Sequence, residues 1–275
     1  MIKHLQDTVK LNNGVEMPGF GLGVYKVDDG DVVYQAVDGA LEAGYRSIDT
    51  ASYYFNEKGV GQAIKDSRVA REDIFITSKV WNDQQGYEGT LQAFEESLEN
   101  LQTDYLDLYL IHWPVKDKFT DTWRAMEKLY KDERVRAIGV SNFHVHHLKK
   151  LFAESTVMPA IDQVEYHPHL TQEELHDFCK LEGIQLEAWS PLKRGQLLDE
   201  PVLNEIGQKY NKTAAQVILR WDIQNEVITI PKTITDKRIA ENADVFDFFL
   251  TENEMKQIQA LNKNDRAGTN PDSYD

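Results

Sequence analysis

Eight short runs rich in β-branched and aromatic residues alternate along the chain with stretches whose apolar residues have helical spacing. The runs begin roughly 20 to 45 residues apart, which leaves room for a helix between consecutive strands. No run leads into a tight hairpin, and no linker rich in Pro, Gly or Ser divides the series. The pattern predicts a βα unit repeated eight times. The predicted strands are 20–25, 46–51, 75–80, 108–113, 137–142, 162–167, 185–190 and 227–232.

The repeated unit favours a (β/α)8 TIM barrel, since the usual size of that α/β fold, about 250 residues, is close to the 275 residues present. A β-hairpin is predicted before the barrel, because Asn13-Gly14 marks a turn in TVKLNNGVEMP. Extra helices are predicted near the C-terminus, at 214–224 and 252–261. A doubly wound open sheet is the alternative, because the same alternation would serve it. We expect residues 1–275 to form one domain.

The formal net charge of −16 argues against partners such as nucleic acid or anionic lipid. Any anionic ligand must therefore be bound by a local basic cluster. No apolar run approaches the roughly 18 residues that a membrane span needs, and the first residues lack the apolar core of a signal peptide. The single cysteine, Cys179, has helical spacing from Leu175, so we expect it to pack. These features predict a cytoplasmic protein, with a monomer as the default state.

Polar residues stand at the C-terminal ends of nearly all the predicted strands. In a (β/α)8 barrel these ends converge on one face, which carries the active site. Each residue alone has an ordinary explanation, such as a turn, a surface charge or a helix cap. Their joint occurrence at equivalent positions favours a functional site. The residues are Asp49, Lys79, His112, Ser141, Asn142, Gln163, Glu165, Trp189, Ser190 and Lys232.

Complementary catalytic roles are expected for a carboxylate, a lysine and a phenol that meet at this face. An ammonium within about 4 Å of a tyrosine hydroxyl favours the phenolate by about 4 kcal/mol, so we expect it to lower the phenol pKa from about 10 towards neutrality. Asp49 would hold the ammonium, and His112 would donate a hydrogen bond to the substrate oxygen. The pattern does not choose between Tyr53 and Tyr54 as the proton donor.

Seven separated motifs carry a resemblance to the aldo-keto reductase superfamily over essentially the whole chain: IDTASYYFNE, ITSKVW, LYLIHWP, IGVSNF, DQVEYHP, AWSPL and IPKTITDKRIAEN. Within it, the chain is most similar to small bacterial members such as glyoxal/methylglyoxal reductases and 2,5-diketo-D-gluconate reductases. The resemblance implies a catalytic tetrad of Asp49, Tyr54, Lys79 and His112, with Tyr53 left to packing. It also implies hydride transfer from NADP(H) to a small carbonyl, with Tyr54 as the proton donor and no metal.

The resemblance also implies the cofactor contacts. Trp189 would stack on the nicotinamide, while Ser141, Asn142 and Gln163 would bind its carboxamide. The basic PKTITDKRIAEN segment would bind the adenosine 2′-phosphate at a helix start, so NADPH is expected over NADH. Thr235 as a plain N-cap is the alternative. The remaining expected contacts are Gly23, Val24, Tyr25, Asp49, Ser190, Leu192, Lys232, Thr233, Thr235, Arg238, Glu241 and Asn242.

The expected substrate pocket is aromatic, with Trp81 and Trp113 beside Tyr25, Tyr54 and His112. We expect it to be open and tolerant, because the chain ends soon after ALNKNDRAGTNPDSYD, without the long closing segment of steroid-handling relatives. A non-catalytic NADP-binding regulatory subunit of the same fold is the alternative function, although all four tetrad positions are filled.

Two further signals carry less weight. GFGLG at residues 19–23 lacks the G-x-G-x-x-G spacing of a dinucleotide-binding fingerprint. The histidines of FHVHHLKK, at 144, 146 and 147, raise the possibility of zinc, but neither sulfur nor an acidic residue recurs near them at ligand spacing. We therefore expect no metal site there.

Overall fold

The computed structural model describes residues 2–274 and begins with an antiparallel hairpin. Strand β1 (Thr8–Lys10) pairs with β2 (Glu16–Pro18), with Val9 opposite Met17. Gly14 has a φ of 88°, a left-handed conformation that glycine adopts without steric cost. The turn predicted at Asn13-Gly14 is confirmed.

Eight parallel strands follow and form one curled sheet in sequence order, from β3 to β10. Two bridges close it, Phe20 with Thr229 and Gly23 with Lys232, so that the first and last strands meet. The (β/α)8 barrel is confirmed, and the open-sheet alternative is wrong. The strands are β3 Leu22–Gly23, β4 Ser47–Asp49, β5 Phe75–Val80, β6 Leu106–Ile111, β7 Val135–Ser141, β8 Ile161–Glu165, β9 Gln185–Trp189 and β10 Ile228–Thr229.

Residues 2–274 contain ten α-helices, which lie around the barrel. α4 packs on β6 and β7 and buries Trp123, Met126 and Leu129 along one side. Within the described chain, no helix is both long enough and apolar enough to cross a bilayer. The helices are α1 Asp31–Glu42, α2 Glu57–Asp66, α3 Tyr87–Leu101, α4 Phe119–Lys131, α5 Val145–Phe152, α6 Glu173–Glu182, α7 Pro201–Tyr210, α8 Ala214–Gln224, α9 Asp236–Ala243 and α10 Glu252–Gln259.

The hairpin covers the N-terminal end of the barrel. Met17 is fully buried and packs in one apolar cluster with Leu108, Leu110 and Ile161 from the barrel strands. This cluster fills the end opposite the polar strand ends. The C-terminal face is therefore the open one, as the sequence predicts.

Several strands are shorter than predicted, or shifted. β10 covers only Ile228–Thr229, and β6 ends at Ile111, one residue before His112. The continuous ladder ends at these points, so His112 follows β6 directly and Lys232 keeps only an isolated bridge to Gly23. The expected element order is otherwise retained.

Candidate active site

Two neighbouring strands and the turn after the first bring three of the tetrad side chains together. Asp49 ends β4, and Lys79 lies near the end of β5. A 3-10 turn over Ser52–Tyr54 then carries Tyr54 back over the barrel. The Ser52 hydroxyl fixes this turn by donating a hydrogen bond to the Lys79 carbonyl at 3.0 Å.

The Lys79 ammonium is the centre of the site. It donates to Asp49 Oδ1 at 2.7 Å, to the Thr50 carbonyl at 2.9 Å and to Tyr54 Oη at 3.3 Å. Lys79 is 0% exposed and Asp49 is 3% exposed. All three of its donors are directed to protein oxygens, as a buried ammonium requires. The prediction that residues 49, 54 and 79 meet is confirmed, and the lysine contacts Tyr54.

The phenol is harder to ionise than the sequence led us to expect. Desolvation raises the pKa of Tyr54 to about 12, because it outweighs the opposing effect of the Lys79 ammonium, and the Asp49 carboxylate also favours the neutral phenol. The expectation of a pKa lowered towards neutrality is therefore wrong for the protein alone. Tyr54 carries its proton at neutral pH, which is the state a proton donor needs.

His112 follows β6 and faces the same phenol. Its ring lies 5.6 Å from the Tyr54 ring, edge to face, and 4.9 Å from the Trp81 ring. Burial, reinforced by the Lys79 charge, holds the pKa of His112 well below its usual value. Its Nδ1 is buried and has no hydrogen-bond partner among residues 2–274. The imidazole is therefore neutral and can donate one hydrogen bond.

A second carboxylate lies behind the ion pair, deeper in the barrel. The Gln163 amide nitrogen donates to Asp49 Oδ2 at 2.7 Å and to Glu187 Oε2 at 2.8 Å. Burial, followed by the Asp49 charge, raises the pKa of Glu187 to about 8. Glu187 is thus protonated at neutral pH, which avoids two buried like charges across one amide. The amide orientation of Gln163 is set by these two acceptors.

Three polar residues hold Trp189 at the rim. Trp189 Nε1 donates to Asn142 Oδ1 at 2.8 Å, and Asn142 Nδ2 donates to the His112 carbonyl at 2.9 Å and to Ser141 Oγ at 3.0 Å. The Ser141 hydroxyl donates to the Gln163 carbonyl at 2.7 Å. Trp189 remains partly exposed, so a flat ring could stack on it. The structure thus brings the four predicted nicotinamide-binding residues together.

Aromatic side chains wall the space above the tetrad. Tyr25 lies 4.9 Å from the Tyr54 ring and is 41% exposed. Tyr53 stacks on Trp81 at 3.6 Å with an interplanar angle of 13°, and it is 39% exposed. Tyr53 is therefore part of the wall. Sequence reasoning missed this role, although two adjacent tyrosines in a tight turn must point in different directions.

The C-terminal segment also reaches the barrel mouth. Buried Glu165 accepts hydrogen bonds from the backbone N–H groups of Ala267 at 2.5 Å and Gly268 at 2.9 Å. A methyl group at Gly268 would lie 2.4 Å from Trp189 Cη2, so the tail packs directly on that ring. Further along, the Tyr274 ring lies 5.1 Å from that of Trp113. Residues of the C-terminal segment therefore lie beside the aromatic side chains of the expected pocket.

The expected phosphate pocket is exposed and basic. Lys232 and Arg238 are both exposed at the start of α9, and the Thr235 N-cap makes no side-chain capping hydrogen bond. Thr235 therefore occupies the N-cap position of the alternative interpretation, but its hydroxyl does not cap the helix. The first N–H groups of α9 favour an anion. Glu241, in contrast, accepts a hydrogen bond from Thr213 at 3.1 Å.

The other predicted contacts lie around the same rim. Val24 is fully buried, and its backbone N–H donates to the Asp49 carbonyl at 3.1 Å. Ser190 has a φ of 54°, a left-handed turn that redirects the chain immediately after β9. Thr233 and Asn242 are buried, whereas Leu192 is partly exposed.

Comparison with known proteins identifies the family. The aldo/keto reductase family profile matches residues 20–263. Glyoxal reductase of Bacillus subtilis (strain 168) is 65% identical over 268 residues, which cover 98% of this chain and 97% of that protein. Methylglyoxal reductase DkgA of Salmonella typhimurium is 46% identical over 270 residues, with 97% of each chain covered. The crystal structure of a Bombyx mori aldo-keto reductase in complex with NADP has a TM-score of 0.91 at 38% identity, covering 100% of this chain and 98% of that one. Because the barrel fold and these matches agree, the chain belongs to the aldo/keto reductase family.

Proposed function

We propose that this protein is an NADPH-dependent reductase of aldehydes and small carbonyls, with methylglyoxal, glyoxal, other α-dicarbonyls and keto-sugars as its substrate class. The observation that carries the proposal is the neutral Tyr54 phenol, held 3.3 Å from the buried Lys79 ammonium. The glyoxal and methylglyoxal reductases among its relatives support the substrate class. The NADP complex of the Bombyx mori relative supports the cofactor.

The tetrad residues have distinct roles in this proposal. NADPH held by the rim residues would supply the hydride that the carbonyl carbon accepts. Tyr54 gives its proton to the carbonyl oxygen, and Lys79 stabilises the phenolate that remains. Asp49 keeps Lys79 charged and in place, since a lone buried ammonium would be costly. His112, neutral and adjacent, donates a hydrogen bond to the substrate oxygen.

The rim residues would hold the cofactor. Trp189 would stack on the nicotinamide, and Ser141, Asn142 and Gln163 would bind its carboxamide. Lys232 and Arg238, together with the hydroxyls of Thr233 and Thr235, would bind the 2′-phosphate at the start of α9. We assign the adenine to the neighbourhood of Glu241 and Asn242, and the remaining rim contacts to Gly23, Val24, Tyr25, Ser190 and Leu192.

The substrate would enter between aromatic side chains. Tyr25, Trp81 and Trp113 offer apolar surface, and the polar groups converge only at Tyr54 and His112. Such a pocket would bind a small carbonyl compound mainly through its oxygen atom, so we expect broad substrate specificity. A kcat/KM for one bulky substrate that is orders of magnitude above the value for methylglyoxal would contradict this.

Adjacent tyrosines provide the decisive experiment. Tyr54→Phe removes the proton donor, whereas Tyr53→Phe removes a hydroxyl from the neighbouring wall residue. Oxidation of NADPH with methylglyoxal, followed by absorbance, should fall by a factor on the order of 10² to 10⁴ in the first variant. It should change less than about threefold in the second. Cofactor binding without turnover in the wild type, on any carbonyl, would instead indicate a non-catalytic NADP-binding subunit.

We propose further that residues 1–275 work as one barrel domain, as a cytoplasmic monomer without nucleic-acid or membrane partners. The buried free thiol of Cys179 and the net charge of −16 support this assignment. Light scattering at micromolar concentration tests the oligomeric state, with a mass near 31.6 kDa expected.

A further inference from the structure

Three histidines at the start of α5 meet an aspartate from the far end of the chain. His144 is the N-cap of α5, and His146 and His147 lie in its first turn. Asp272, 128 residues after His144, approaches them from the C-terminal segment. Sequence spacing gave no acidic partner for these histidines, because the fold, and not the local sequence, supplies it.

The donor atoms have nearly the spacing that a metal ion requires. His144 Nδ1 lies 2.6 Å from Asp272 Oδ1, and His146 Nε2 lies 3.7 Å from the same oxygen. One ligand atom from each of these residues and His147 fits within 4.8 Å of the others. Ligand atoms about 2.0 to 2.1 Å from a tetrahedral zinc ion are roughly 3.3 Å apart. The two distances to Asp272 Oδ1 therefore differ from this spacing by less than 1 Å.

We propose that His144, His146 and Asp272 form a binding site for a divalent transition-metal ion such as Zn²⁺, with water completing the coordination. Two imidazoles and one carboxylate are ligands of borderline softness, which favour zinc over calcium or magnesium. This site lies outside the proposed catalytic machinery and does not take part in the reduction.

Two neighbouring residues, His147 and Arg266, affect which nitrogen atoms can bind the ion. His147 Nδ1 accepts a hydrogen bond from the His144 backbone N–H at 3.0 Å, so His147 is engaged in capping α5. The Arg266 guanidinium donates to His144 Nε2 at 2.9 Å and to Gln172 Oε1 at 3.3 Å. A metal on His144 Nδ1 moves the ring proton to Nε2, and Arg266 must then release the imidazole. Arg266 is thus a competitor of the ion.

The ion would tie the C-terminal segment to α5. Asp272 lies two residues before Tyr274, which packs on Trp113 in the pocket wall. Glu165 already anchors the same segment at Ala267 and Gly268. Metal binding would strengthen the attachment that the His144–Asp272 hydrogen bond already makes nearer the chain end.

The test uses the full-length protein, freed of metal by a chelator and titrated with ZnCl₂ in a calorimeter. We expect one Zn²⁺ per chain. Asp272→Asn and His146→Gln should each weaken binding about tenfold or more, since even losing a partner outside the coordination shell costs tenfold to a hundredfold. His4→Gln and His176→Gln are matched controls, because they remove imidazoles elsewhere, and they should leave the affinity unchanged.

Cobalt provides an independent readout of the ligands. Co²⁺ bound to this site should show visible absorption bands that Asp272→Asn abolishes. Absence of Zn²⁺ binding in the wild type would overturn the proposal, as would binding that both ligand variants retain or that the controls lose. None of these measurements requires NADPH or turnover, so their outcome is independent of the proposed reductase activity.

Discussion

Replacing Lys79 by methionine is the most informative perturbation of the proposed site. Methionine has nearly the same length and is apolar, so the substitution removes the ammonium with little change in volume. The Lys79 ammonium lies 3.3 Å from Tyr54 Oη. At that distance, and at an effective dielectric constant of about 20, its attraction for a full phenolate charge is about 5 kcal/mol. Only part of this develops in the transition state, so we expect kcat to fall on the order of 10³-fold.

The same substitution also destabilises the fold. Asp49 would be left buried without its cation, and an uncompensated buried charge costs about 3 to 5 kcal/mol. The hydrogen bond from Gln163, at 2.7 Å, offsets part of that cost. Chemical denaturation would therefore show a loss at the lower end of this range, about 3 kcal/mol.

A double variant separates the two effects. Asp49→Asn combined with Lys79→Met removes both charges, so we expect stability to recover by about 1 to 2 kcal/mol while kcat stays low. Turnover of methylglyoxal at saturating NADPH, measured together with urea unfolding, checks both quantities. If the folded Lys79→Met protein keeps kcat within tenfold of the wild type, the phenol and ammonium contact is not what enables proton transfer.

Three further changes probe other parts of the site. Arg238→Ala should raise the KM for NADPH about tenfold or more and leave the KM for NADH unchanged. The control variant Lys237→Ala, at an exposed neighbouring residue, should change both KM values little. An equal rise in KM for the two cofactors would refute the phosphate pocket. Gly268→Ala places a methyl group 2.4 Å from Trp189 Cη2, so it should lower the free energy of unfolding by about 1 to 3 kcal/mol or displace the indole. Displacement of the indole would weaken NADPH binding and alter the tryptophan fluorescence. If stability, NADPH binding and fluorescence are all unchanged, the close packing is refuted. Folding raises the pKa of Glu187 from 4.5 to about 8, so between these pH values the folded protein keeps a proton that the unfolded chain has lost. The contribution of Glu187 to stability is therefore fully present below about pH 4.5 and declines as the pH rises towards 8. Glu187→Gln lacks that decline, and its stability relative to wild type should increase between pH 5 and 8 by up to about 1.4 kcal/mol per pH unit; parallel pH profiles would contradict the assignment.

The barrel could be predicted because its strands are strongly patterned. Runs such as LYLIHW carry apolar residues on both faces, which is typical of parallel strands buried between a core and helices. Strand ends were less predictable, since β10 retains only Ile228–Thr229 of the predicted 227–232. The residues after Thr229 lead towards the rim of the barrel. A sequence propensity for extended backbone does not distinguish a hydrogen-bonded strand from an extended loop.

The residues of the site also differ in how well the sequence predicts them. Residues at strand ends, such as Asp49 and Lys79, could be found because the topology of a barrel brings those ends together. Glu187 was missed, although a carboxylate within the apolar QLEAWS strand was a signal of a buried polar contact. The tail contacts of Glu165 with Ala267 and Gly268 had no signal in the sequence, because they join residues about 100 positions apart through backbone N–H groups.

The pKa of Tyr54 shows why proximity alone does not settle mechanism. Lys79 contacts the phenol as predicted, yet the crevice that creates the contact also removes water from the phenol, and the loss of hydration has the larger effect. The ammonium therefore does little to ionise Tyr54 in the resting protein. Its stabilisation becomes available as the proton leaves and negative charge appears on the oxygen. An interaction that strengthens only during proton transfer lowers the barrier without stabilising the ground state, which is the kind that raises kcat. In the proposed reaction, Lys79 thus acts on the phenolate that Tyr54 becomes, and the raised pKa keeps the proton in place until the substrate takes it.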